Sequence, residues 1–218
     1  MPRDDAGEGA MNEDRLKGLS LIGGRSSLDF VNTEGGTRST SPDRAQDYGD
    51  LARWGAYAGV IDEEEAGRLL DLAAADPREA KRIHARAIEF REALFRILDA
   101  IGQGEATTAG DRAVLDREVA EALAHQRLVP HDGHFDWEIV EDEDRMDWIL
   151  WILAADAADL LASEQLERVK KCCGDHCEWV FVDESRNRSR RWCEMSDCGN
   201  RAKQRRYQKR HGKTARTA

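Results

Sequence analysis

The chain has 218 residues, 40% of them hydrophobic and 35% charged, with a formal net charge of −10. That apolar content can fill a core and excludes wholesale disorder, while the longest apolar run, Trp148 to Ala155, falls far short of the roughly 20 residues a membrane-spanning helix needs. Residues 1–20 hold no apolar stretch of the secretory-signal kind, so a cytoplasmic protein with no membrane partner is expected.

Taken in order, residues 1–17 are polar and read as a disordered tail. Ser20 to Phe30 carries a Gly23-Gly24 turn followed by a short apolar, strand-like run. Asp47 to Val60 places Leu51, Trp54 and Ala58, with Ile61 following, at helical spacing. Asp62 opens a second helix with Glu63, Glu64 and Glu65 in the first turn, where carboxylates suit the positive end of the helix dipole. Asp76-Pro77 is a cap followed by proline at the first helical position. The long helix from there has Ile83, Ala87, Phe90, Leu94, Ile97, Leu98 and Ile101 on one stripe, and Gly102 to Gly104 end it.

A further helix covers about Ala109 to His125, with Leu115, Val119, Ala122 and Leu123 expected to face inward. Gln126–Pro130 and Phe135–Val140 read as short strands of a hairpin joined by His131-Asp132-Gly133-His134. A last body helix, about Asp144 to Ser163, carries Trp148, Ile149, Ile152, Leu153 and Leu160. It runs into the C-terminal segment without a Gly or Pro linker, so the two parts are expected to be docked.

All five cysteines lie between 172 and 198. Cys172 and Cys177 are separated by four residues, as are Cys193 and Cys198, with fifteen residues between the pairs. A reducing cytosol disfavours disulfides, whereas two spaced pairs suit a closed tetrahedral zinc site. Cys173 could replace Cys172, and His176 could replace one thiolate; using Cys173 would break the matched spacing. The segment is too polar to fold on its own apolar surface, and bound metal supplies that stability. Trp179 to Val182 alternates like a short strand, and Trp179 and Trp192 suit a small finger core. From Cys198 the chain reads as a helix ending at Gly212.

Charge divides the chain in the same place. Residues 168–218 hold 15 basic against 6 acidic side chains, a balance of +9, and residues 1–167 hold 18 against 37, a balance of −19. An acidic body with a basic tail points to nucleic acid, with contact confined to the tail. The candidate contacts are Arg186, Arg188, Arg190 and Arg191 in the loop, and Asn200, Arg201, Lys203, Arg205, Arg206, Lys209 and Arg210 in the helix. In the body, Asp29, Asn32 and Thr33 could line a small-ligand pocket with Arg91. The competing reading is a structural turn in which Asp29 and Asn32 bond to backbone groups. His125, His131 and His134 with Asp132 fit a polar hairpin as well as they fit acid–base chemistry. With no nucleophile motif, phosphate loop or dinucleotide fingerprint, an enzyme is not expected.

The run from Cys172 through Cys177-Glu178-Trp179-Val180-Phe181-Val182-Asp183-Glu184-Ser185 to Cys193 and Cys198-Gly199-Asn200-Arg201 closely resembles the CGNR zinc finger. Leu28-Asp29-Phe30-Val31-Asn32-Thr33, Asp50-Leu51, Trp54, Gly59 and Arg91-Glu92-Ala93-Leu94 resemble the ABATE domain that usually precedes it. The resemblance implies a bacterial, stress-related transcription regulator of this two-part architecture. The expected fold is mostly α with a small β component (α+β). A helical regulatory domain spans 18–167, a zinc finger 168–213, and a second disordered tail 214–218. The expected function is a zinc-dependent DNA-binding regulator whose body senses a small-molecule effector or forms a homodimer. The alternative is an RNA-binding or protein-interaction module built on the same finger.

Overall fold

The computed structural model describes residues 15–36, 42–139 and 145–211. Seven α-helices lie wholly among them: α1 (Ser26–Val31), α2 (Tyr48–Tyr57), α3 (Glu63–Ala75), α4 (Pro77–Gln103), α5 (Ala109–Ala124), α6 (Trp148–Ala162) and α7 (Asn200–His211). Two antiparallel hairpins join β1 (Gln126–His131) to β2 (His134–Ile139), and β3 (Val169–Lys171) to β4 (Val180–Val182). The class is therefore mostly α with a small β component, as the sequence implies. Residues 1–14 and 214–218 of the expected tails lie outside the described residues. Arg15 to Lys17 are not tail: Arg15 pairs with the buried Asp50, and Leu16 packs on the core.

Local chemistry fixes several of the helix ends. Asp62 and Glu65 form a reciprocal capping box on α3, with Asp62 Oδ1 accepting from the Glu65 N–H at 2.8 Å. Asp76 caps α4 through the Glu79 N–H ahead of Pro77, and Gly104 closes that helix in the left-handed conformation. Thr108 caps α5 by accepting from the Asp111 N–H.

The apolar run before Asn32 is helical, which corrects the strand-like reading. Strand alternation would send alternate side chains outward, yet Leu28, Phe30 and Val31 are all fully buried. The α1 N-terminus is capped in trans, with the Ser27 N–H donating to Asp156 of α6 at 2.8 Å. Arg25 ties the same corner to Asp156 and Asp159.

α6 is the central rod of the body. Trp148, Ile149, Leu150, Trp151, Leu153, Ala154, Ala157 and Leu160 bury most of its circumference, as expected of a helix surrounded by others. Gly55 of α2 lets it approach: a Cβ there would lie 2.5 Å from Ile149 Cδ1. α5 departs from the sequence reading at two positions. Leu123 is 57% exposed, while Glu118 is fully buried. The reason is electrostatic: Arg86 and Arg117 converge on the Glu118 carboxylate, and Arg86 also reaches the buried Asp147. That network turns the Glu118 stripe inward and leaves Leu123 outside.

The β3–β4 hairpin is built into the body. Val180 and Val182 belong to the same apolar core as α1, α4 and α6. Outer-edge groups of the Glu178–Val182 segment are met by body loops: the Glu178 N–H donates to Gly36 O at 2.7 Å, and the Val182 N–H to Gly23 O at 2.8 Å. Between them Asn32 acts as a strand substitute. Its Nδ2 donates to Val180 O and its Oδ1 accepts from the Val180 N–H, both at 2.9 Å.

Candidate metal centre and basic helix

Four sulfurs converge beyond that hairpin. The Sγ atoms of Cys172, Cys177, Cys193 and Cys198 all lie within 4.8 Å of one another, and the four residues are buried. Cys177 and Cys193 are 3.8 Å apart at sulfur, far from the roughly 2.05 Å of a disulfide. Zinc–thiolate bonds of about 2.3 Å in a tetrahedron place sulfurs about 3.8 Å apart. Cys173 is exposed and outside the cluster, as is His176, so the matched four-residue spacing identifies the converging set.

The backbone around the cluster is shaped for it. Cys172 Sγ accepts from the Gly174 N–H at 3.3 Å and the Cys193 N–H at 3.2 Å. Gly174 is needed for a close approach, since a Cβ there would meet Cys198 Sγ at 2.8 Å. The neighbouring thiols Cys177 and Cys193, together with these N–H donors, hold the Cys172 thiol well below the ordinary range. Cys172 in turn pushes Cys177 and Cys193 up. Four such sulfurs cannot all be thiolates without a cation between them, and the donor set fits Zn2+ as a closed structural site.

Supporting side chains lock the loops. Asp183, fully buried, accepts from Lys170 Nζ at 2.6 Å, the Ser185 N–H at 3.0 Å and the Arg190 N–H at 2.9 Å. Burial pushes its carboxyl up, but those donors outweigh it and hold the group well below the ordinary carboxylate range. The Arg190 guanidinium lies 4.0 Å from the Phe181 ring centroid and donates to the carbonyls of Trp192 at 3.2 Å and Cys193 at 2.5 Å. It also reaches Ile22 O of the body at 3.3 Å. Trp179 and Trp192 pack on the cysteine cluster with Phe181.

A π-turn, Met195–Gly199, carries Cys198 into α7. α7 buries no residue. The basic residues divide by environment. Arg201 donates to Asp197 Oδ2 at 2.8 Å and to Cys198 Sγ at 3.1 Å, so it braces the metal corner. Arg205 pairs with Asp175 at 2.8 Å, and Asn200 Nδ2 donates to Ser196 O at 3.0 Å. In the preceding loop Arg188 pairs with Glu167, and Arg191 lies over the Trp192 ring. Arg186, Lys203, Arg206, Lys209 and Arg210 are exposed and form no ion pair among the described residues. Sequence spacing alone did not separate these groups, because loop folding decides which cations meet a carboxylate or a carbonyl.

Of the body residues Asp29, Asn32, Thr33 and Arg91, only Thr33 and Arg91 meet, and each of the four has partners inside the fold. Asp29 accepts from the Gly23 N–H at 2.8 Å, and Asn32 clamps Val180. Arg91, 2% exposed at its side chain, donates to Thr33 Oγ1 at 2.9 Å and forks onto both oxygens of Asp43 at 2.8 and 2.7 Å. His131 meets Glu138 and His134 meets Asp136 on the solvent-facing hairpin, while His125 stacks on Trp151. Among the described residues no helix is long and apolar enough to cross a membrane.

Comparison with known families agrees with this division of the chain. Residues 24–164 match the ABATE family, described as "Putative stress-induced transcription regulator", and residues 168–211 match the CGNR zinc finger. No curated protein matches the chain. With well over half of its length covered by the first match, the chain belongs to the ABATE family and carries a CGNR zinc finger at its C-terminal end.

Proposed function

We propose that this chain is a zinc-dependent, DNA-binding transcription regulator of the cytoplasm, in which α7 is the element that meets DNA. One observation carries the reading: a helix that buries nothing, bears Lys203, Arg206, Lys209 and Arg210 free of ion pairs among the described residues, and is fixed at its first turn to a metal ligand. Twelve helical residues span about 18 Å, a length that fits a major groove about 12 Å wide. Arg186 adds a loop cation; Arg190 and Arg201 support the finger itself. The acidic body keeps phosphate contact to this end of the molecule. Because Asp29 and Asn32 are bonded to the Gly23 and Val180 backbone and Arg91 to Thr33 and Asp43, the reading assigns the body to holding the finger and to self-association, with no effector bound at those residues.

The test is fluorescence anisotropy of the zinc-loaded protein with random duplex DNA, single-stranded DNA and RNA at several salt concentrations. Neutralising about four or five phosphates gives a log–log salt slope near −4 for duplex DNA. Changing Lys203, Arg206, Lys209 and Arg210 to alanine should remove most of that slope and leave thermal stability unchanged. Tighter binding to RNA or single strands would move the reading to RNA, and no binding to any of the three would overturn it.

A further inference from the structure

The β1–β2 hairpin sorts its side chains by face. Register pairs Leu128 with Trp137 and Pro130 with Phe135, so these four share one face. Arg127, His131, His134, Asp136 and Glu138 occupy the other, with the half-buried Val129 among them. The apolar face is open: Leu128 is 53% exposed, and Phe135 and Trp137 are each 64% exposed. Ile139, at the body end of the same face, packs against the core. A two-stranded hairpin is marginal in water by itself, and one that displays two aromatic rings and a leucine on the same side is built to be covered.

We infer that this face is covered by the same face of a second copy, making the protein a two-fold dimer through its β1–β2 hairpins. The area supports a second copy as occupant. Phe135 and Trp137 leave on the order of 250 Å² of ring surface in water, and Leu128 and Pro130 bring the apolar face to roughly 400 Å². Two such faces closing on each other bury about 800 Å² of apolar surface, and the polar rims of the two hairpins bring the contact towards the roughly 1,000 Å² that a specific interface requires. A two-fold contact is self-complementary by construction, so Trp137 and Phe135 meet their own mates without needing a second matching surface. The bodies that approach each other are both strongly acidic. The contact must therefore be apolar, and added salt screens the repulsion that opposes it.

The experiment is sedimentation velocity of the full-length, zinc-loaded protein without nucleic acid, from about 1 to 100 μM, at about 0.05 and 0.5 M salt. A dimer is expected, with association at least several-fold tighter at the higher salt, opposite in sign to the salt effect expected for DNA. The double variant Phe135→Thr, Trp137→Thr retains strand-forming residues and should sediment as a monomer. Hydrogen exchange of the unmodified protein guards against a variant that merely unravels the hairpin. Amides in 126–139 should gain protection as concentration rises, and those of α7 should not. Monomeric mass throughout, a dimer that persists in the variant, or concentration-dependent protection away from the hairpin would each overturn the inference. None of these outcomes depends on whether α7 binds DNA.

Discussion

Replacing Asn32 with leucine, which keeps the side-chain volume and removes both polar atoms, tests how the finger is joined to the body. Asn32 is 1% exposed and, among the described residues, is what pairs with the Val180 N–H and C=O on that edge, each at 2.9 Å. The leucine leaves two buried backbone groups unpaired, at about 1–3 kcal/mol each. The expected loss is therefore about 2–6 kcal/mol, which for a protein of this size lowers Tm by on the order of 5–20 °C. The assay is thermal unfolding of zinc-loaded protein, followed by the rate of zinc release to a chromogenic chelator. Release should accelerate, because the Glu178–Val182 segment leads from Cys177 towards Cys193 and loses one of its three outer-edge attachments. A Tm within about 2 °C of the parent, with unchanged zinc release, would refute the reasoning that this side chain serves as a strand.

Three further expectations follow from the same geometry. Cobalt substitution should give the intense sulfur-to-metal absorption of a four-thiolate tetrahedron; Cys173→Ser should leave that spectrum intact and Cys172→Ser should change it, and the reverse pattern would reassign the first ligand. Gly174→Ala should weaken metal affinity at least tenfold, about 1.4 kcal/mol, because its Cβ meets Cys198 Sγ at 2.8 Å; chelator competition reads the effect. Burial pushes the Asp29 carboxyl up to about 6, against the Gly23 and Ile22 backbone bonds that lower it. A raised carboxyl binds its proton more readily in the folded state, so its ionisation weakens the fold as pH rises from about 4 to 6. Asp29→Asn, which keeps an acceptor for the Gly23 N–H, should raise stability by about 1–2 kcal/mol at pH 7.5 and give no gain at pH 4; equal effects at both pH values would contradict that origin.

What the sequence revealed was written in short-range chemistry. Asp62 with Glu65, Asp76 with Pro77, and the Cys172/Cys177 and Cys193/Cys198 spacings act over a few residues and could be read directly. The unread features depend on partners far along the chain. Val169-Lys170-Lys171 has no strand alternation of its own and becomes β3 because β4 lies beside it. Glu118 faces inward because Arg86 lies opposite it, 32 positions away in sequence. Ser26–Val31 turned helical because an aspartate from α6 caps it. Arg190 looked like any loop cation until the fold brought four carbonyls around it.

The way β4 is held has a practical meaning for anyone dividing this protein. A cut between residues 167 and 168 follows the family boundary, yet it strips Glu178, Val180 and Val182 of the acceptors that Gly36, Asn32 and Gly23 provide. The same cut uncovers the floor on which Val180 and Val182 rest. Neither half is a finished object. A fragment starting at 168 would have to rely on metal alone to order a segment that the intact chain also holds by its backbone. A fragment ending at 167 would keep a vacant strand-shaped groove, ready to accept another extended chain in place of its own.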